Sequence, residues 1–101
     1  MNVSGFKMNK ITFQWDEQKN KINQQKHGIS FEEAESVFFD DYAVQFWDEE
    51  HSQDEERFLL LGLSSKMRIL IVVHCFREED SVIRIISARK ATKNESKEYR
   101  R

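Results

Sequence analysis

Three consecutive segments dominate the second half of the chain: "RFLLLGL" (57–63), "MRILIVVHCF" (67–76) and "VIRIISAR" (82–89). Their density of β-branched and apolar residues favours strand over helix. The short polar gaps between them leave room only for hairpin turns, so they must run as an antiparallel meander. Two further segments carry strand character. "KITFQW" (10–15) alternates Ile11, Phe13 and Trp15 with polar neighbours, and "YAVQFW" (42–47) precedes an acidic loop. The period-2 pattern of the first marks a half-buried strand.

Between these strands the chain follows the rules of helix ends. Asp16 caps a helix that runs to His27, with Trp15, Lys19, Ile22 and Lys26 along one thinly apolar face. Gly28 closes it, because a residue without Cβ enters the left-handed conformation at little cost. Ser30 opens a second helix, 31–39, with Glu33 at the capping-box position. Thr92 and Glu95 repeat that spacing at the start of a polar C-terminal helix. The order β-α-α-β-β-β-β-α predicts an α+β fold: one antiparallel sheet of four to five strands, two N-terminal helices and a C-terminal helix.

A length of 101 residues with 39% hydrophobic and 34% charged side chains suits one domain, 1–101, in which residues 1–9 form a flexible N-terminal extension. No apolar run approaches the roughly 20 residues of a membrane span, and the N-terminus lacks the apolar stretch of a signal peptide. The lone Cys75 and the absence of such signals point to the cytoplasm. Charge is segregated: residues 29–56 hold eleven Asp or Glu and no Lys or Arg, whereas 66–101 hold ten basic and five acidic side chains. The basic third can engage phosphates, and the acidic middle can hold a cationic partner or serve solubility.

The hairpins bring separated residues together. A turn centred on Ser65 and Lys66 pairs Leu61 with Leu70, Leu59 with Val72 and Arg57 with His74, and a loop of 78–81 places His74 opposite Ile85 and Val72 opposite Ser87. One face then carries Arg57, His74, Ser87 and Arg89 among aliphatic residues.

The segments "WDEQKNKINQQKHGISFEEA", "ERFLLLG" and "RILIVVHCFREEDSVIRIISARKATKNESKEY" resemble the BrnT family of bacterial type II toxin-antitoxin toxins. Its most specific pieces are the "KHG" at 26–28 and "RIISARKAT" at 84–92. The resemblance implies a RelE-like fold, a ribonuclease activity, and neutralisation by a co-encoded BrnA-like antitoxin that itself binds DNA, so that DNA is met only through the complex.

RNA can be cut without a metal or cofactor, because its own 2′-OH attacks the adjacent phosphate once a base takes the proton and cations stabilise the charge that develops. His27, Arg57, His74 and Arg89 are the candidate catalytic residues, and Lys26, Arg77, Arg84 and Lys90 the candidate RNA-binding ones. Each also has a plainer reading: His27 as a last-turn residue, His74 as a core histidine, the cations as edge-strand charge. The acids and His51 between 40 and 51 fit no metal-ligand spacing. A non-catalytic module whose acidic middle docks a basic partner is the alternative of a different class.

Overall fold

The meander forms as expected. β3 (Phe58–Leu63), β4 (Ile69–Arg77) and β5 (Val82–Lys90) follow one another as antiparallel hairpins. The structure, a computed structural model, describes residues 11–99, and the expected extension 1–9 lies outside them. Ahead of the meander come β1 (Thr12–Gln14), α1 (Glu17–His27), α2 (Phe31–Ser36) running into a 3₁₀ turn at Val37–Phe39, β2 (Val44–Trp47) and a second 3₁₀ turn at Glu49–His51; α3 (Lys93–Ser96) follows β5. The five strands are ordered β1-β5-β4-β3-β2.

The sheet is mixed, not purely antiparallel. β1 lies parallel to β5, with Thr12 beside Val82 and Gln14 beside Arg84. No hairpin joins these two strands, so no turn dictates their relative direction.

The register differs from the expected one in two places. The β3–β4 turn has three residues rather than two: Ser64 donates to the Arg68 carbonyl at 2.8 Å, Met67 donates back to Ser64, and Met67 takes the left-handed conformation at φ 62°. Phe58, not Arg57, therefore pairs with His74, and Leu60 with Val72. Between β4 and β5 a bulge at Val73/His74 keeps His74 opposite Ile85 but moves Val72 opposite Ala88 and Val73 opposite Ser87. Each shift is one residue, and one residue exchanges faces. The two shifts cancel for β3 and the end of β5, while β4 and the start of β5, with Ile83 and Ile85, are inverted together.

The helix-covered face holds the core. Ile29, Phe31, Ala34 and Val37 pack on Leu60, Leu70, Val72, Ile85 and Ala88. Phe31 is fully buried, which contributes roughly 1.5–3 kcal/mol. Gly62 allows the close approach of α2's end, since a Cβ there would lie 2.8 Å from Val37 Cγ1 and 2.9 Å from Ala43 Cβ.

α1 does not pack through its thin apolar stripe. Ile22 is 52% exposed, whereas Asn20 and Asn23 are buried. β1 pairs only as far as Arg84, so the later residues of β5 have backbone groups with no strand beside them. Asn23 takes that place: its amide donates to the Ala88 and Ile29 carbonyls, both at 2.8 Å, and accepts from the Ala88 N–H at 3.1 Å. Asn20 accepts from the Phe31 N–H at 2.8 Å. A buried backbone group left unpaired costs about 1–3 kcal/mol, so the Asn23 amide substitutes for a strand neighbour and Asn20 satisfies the first N–H of α2.

The expected capping box at Ser30 is half formed. Ser30 Oγ accepts from the Glu33 N–H at 3.0 Å, but the Glu33 carboxylate turns inward to Arg68 and Ser64. Burial alone would raise the Glu33 pKa; the bonds from Arg68 and Ser64 overcome it and hold the group below its usual value. The Thr92–Glu95 box is complete.

Candidate active site

On the face away from α1 and α2, a groove of about 320 Å³ opens between the loop that follows β2 and the end of β5. Leu59, Val73 and Ile86 floor it, and Arg57, His51, Ser87 and Arg89 project around it.

The loop is built on an extra rung of the β2–β3 ladder. Asp48 donates its N–H to the Arg57 carbonyl at 2.8 Å, and Ser52 Oγ donates to the Asp48 carbonyl at 2.6 Å while accepting from the Arg57 N–H at 2.9 Å. Asp48 and Arg57 are thus opposed across the ladder, on the face that carries Leu59. The Asp48 carboxylate, largely buried, accepts from His51 Nδ1 at 3.1 Å through the turn at Glu49–His51. A carboxylate on Nδ1 fixes the imidazole's orientation and leaves Nε2 as the free nitrogen.

Arg57 is different from its neighbours. Its Nε is shielded from solvent and has no acceptor, and the side chain forms no hydrogen bond or ion pair with any described residue. Arg89, by contrast, is held in a two-bond fork by Glu95 at 2.8 and 2.9 Å. That fork, with the Thr92 N–H, brings the Glu95 pKa down to about 2. Farther along, Tyr99 donates to Asp40 at 2.6 Å, and burial followed by that carboxylate pushes the phenol up to about 12.

Of the four expected catalytic residues, the structure brings two together. Arg57 and Arg89 both line the groove. His74 lies on the other face, fully buried, edge-on to Phe38 and Phe76 and tilted against Phe58. Burial lowers its pKa against the bond to Val72, so the neutral ring donates from Nδ1 to that carbonyl at 3.1 Å, and Nε2 meets the Gln45 amide at 2.9 Å. The expected Arg57–His74 pairing is therefore absent, for the register reason given above. His27 ends α1, exposed, on that same far side of the sheet.

The expected RNA-binding set is divided as well. Arg84 and Arg77 extend along the groove face, the first donating to Gln14 and the second paired with Glu55 at 3.0 Å. Lys26 on α1 and Lys90, opposite Leu70, belong to the helix side. Among the described residues no group of three or more His, Cys, Asp or Glu side chains is gathered to hold a metal ion. Asp40, the first of the loop acids, instead accepts from the Leu63 and Tyr42 N–H groups as well as from Tyr99.

The sequence weighs His51 and Asp48 only as metal ligands and misses them as a hydrogen-bonded pair in the groove. Their signal was a D-x-x-H spacing, which a single 3₁₀ turn brings into contact.

The family model for the ribonuclease toxin BrnT of type II toxin-antitoxin systems matches residues 15–95. The chain belongs to this family. Its matched span contains every groove residue named above and ends at the partner of Arg89. The crystal structure of the Brucella abortus ribonuclease toxin BrnT superposes with a TM-score of 0.64 at 24% identity, covering 82% of this chain and 99% of that one. That likeness establishes the α+β fold. No curated protein matches the sequence. Among the described residues no helix is long and apolar enough to cross a membrane.

Proposed function

We propose that this BrnT-family chain is a metal-independent endoribonuclease whose site is the groove between the 48–57 loop and the end of β5. The observation that carries this reading is Arg57: its Nε is shielded from solvent without an acceptor, its guanidinium pairs with no anion among the described residues, and it stands beside an Asp–His pair, an arrangement suited to an anion from outside. RNA supplies both the phosphate and the nucleophile.

In this mechanism His51 Nε2 takes the proton of the 2′-OH, and Asp48 steadies the imidazolium that forms. The 2′-oxygen bonds to phosphorus, Arg57 and Arg89 stabilise the pentavalent charge, and the bond to the 5′-oxygen breaks. That oxygen leaves with a proton from the solvent at the open groove, giving a 2′,3′-cyclic phosphate and a 5′-hydroxyl. Arg84, on the same face, meets a neighbouring backbone phosphate. His74 and His27 have no part in the step. The protein partner is a cognate antitoxin of the BrnA kind, DNA-binding and responsible for any contact with the operator; a RelE-like character of the fold belongs to the same proposal.

The test is cleavage of a short RNA by the purified chain in chelator. Products ending in a cyclic or 3′-phosphate, and no cutting when the 2′-OH at the scissile position is replaced by hydrogen, are expected. Loss of activity in chelator, or cleavage of the deoxy substrate, refutes the mechanism.

A further inference from the structure

α1 and α2 cover only part of their face of the sheet. Past His74 that face continues with Phe58, Phe76 and Ile83, beyond α1 and α2 and flanked by the rings of Phe13, Phe38 and Phe39. An apolar depression of about 450 Å³ results, lined by Ile11, Phe13, Phe38, Phe39, Phe76 and Ile83. Phe39 is 71% exposed and Ile11 49%, a large cost for a chain to leave in water without use.

The depression does not end there. It shares Gln45 and Phe76 with a second one of about 560 Å³ whose walls carry Glu55, Glu56 and Asp80. That in turn shares Glu55 with a third, and the third shares Glu50, His51 and Arg57 with the catalytic groove. One track therefore runs from an aromatic socket, across carboxylates, around the edge of the sheet to the mouth of the active site. Glu55 is paired with Arg77 at 3.0 Å.

Resting on the toxin reading above, we propose that this track seats a cationic amphipathic segment of the antitoxin: apolar side chains fill the aromatic socket, Lys or Arg side chains cross Glu55, Glu56 and Asp80, and the end of the segment reaches the groove mouth. Charge decides the occupant. A nucleic acid would set its phosphates against these carboxylates, whereas a basic segment complements them and is steered to them. The anchor lies on the face opposite the catalytic groove, so holding the toxin and blocking it are separable, and the docking surface is free to change without altering catalysis.

The experiment titrates the full chain with the antitoxin co-encoded in its operon, at low and high salt. Phe39→Ser should weaken binding by at least roughly tenfold, as for an aromatic anchor. Glu56→Lys should weaken it at low salt, with the difference shrinking as salt rises. Ile22→Ser, an exposed apolar residue on α1, should have no effect, and all three variants should cut RNA like the parent chain. Wild-type affinity in both track variants overturns the proposal, as does no binding by the parent chain. So does self-association of the parent chain that Phe39→Ser abolishes, because the socket would then take a second copy. A chain that binds through this track yet never cuts RNA refutes the ribonuclease reading alone; one that cuts RNA and binds indifferently to these changes refutes the docking alone.

Discussion

Arg57→Met should make the protein more stable and almost inactive. The backbone of Arg57 keeps its bonds to Asp48 and Ser52 in the variant, since neither involves the side chain. What changes is a shielded Nε with no acceptor, whose desolvation costs about 1–3 kcal/mol. Methionine removes that cost and suits the apolar floor of Leu59, Val73 and Ile86, which line the same groove. A gain of about 1–3 kcal/mol follows, and each kcal/mol raises the midpoint by roughly 4–8 °C in a domain of this size. Cleavage should fall at least 10²-fold, as for a lost charge stabiliser. Arg68→Met is the contrast. It leaves Glu33, 3% exposed, without its ion-pair partner and should cost about 3–5 kcal/mol. Urea unfolding and single-turnover cleavage measure both quantities, and added phosphate should stabilise the parent chain more than the variant. A destabilised Arg57→Met would mean that the guanidinium serves the fold and that the argument for an external anion fails.

Three further outcomes follow from the same geometry. His51→Ala should lower the cleavage rate at least 10²-fold with unfolding unchanged, while Asp48→Asn, which keeps the shape but not the charge beside Nδ1, should cost less; equal activity in both variants would remove the pair from the mechanism. Glu95 titrates at about 2 when folded against 4.5 for the free group, so its stabilising effect is complete above pH 4.5 and is lost as pH falls toward 2. Glu95→Gln should flatten that part of the acid-unfolding curve, and an unchanged acid limb would show that the fork with Arg89 does not hold in solution. Gly62→Ala should destabilise by roughly 1–3 kcal/mol, because the new methyl meets Val37 and Ala43 inside van der Waals distance; a neutral result in thermal unfolding would mean that the end of α2 yields easily.

The strand identities were legible because composition and turn spacing act locally. Gly28 at φ 71° and the caps at Asp16, Ser30 and Thr92 were legible for the same reason. Faces were not. Whether the turn after Ser64 holds two residues or three depends on Met67 accepting a left-handed conformation, which its residue type does not announce. The bulge at Val73/His74 has no glycine to signal it. Hence the sequence puts Arg57, Ser87 and Arg89 on one face, as the structure does, but adds His74, which belongs to the core. α1 shows another limit. A search for apolar periodicity passes over Asn20 and Asn23, since what they bury against are backbone groups: the Phe31 N–H at the start of α2 for Asn20, and Ala88 of a strand more than sixty residues away in sequence for Asn23.

Counting charges along the chain overstates how strongly the basic C-terminal third can hold RNA. Arg68 pairs with Glu33, Arg77 with Glu55 and Arg89 with Glu95, so within the described residues much of that positive charge is already neutralised. The groove itself offers Arg57 without a partner, Arg89 if a phosphate displaces Glu95, and Arg84 on the same face. For single-stranded nucleic acid the logarithm of the binding constant falls with the logarithm of salt by roughly 0.7 for each phosphate neutralised. Two to three contacts therefore predict a slope of about −1.4 to −2, whereas engagement of all ten basic residues of 66–101 would give about −7. Binding of a non-cleavable deoxy-substituted RNA between low and moderate salt distinguishes these values. A slope near the larger figure would mean that the ion pairs open on binding and that the whole basic third, rather than the groove, is the RNA surface. A slope near the smaller one, reduced by about 0.7 in Arg57→Met, would place the grip at the groove.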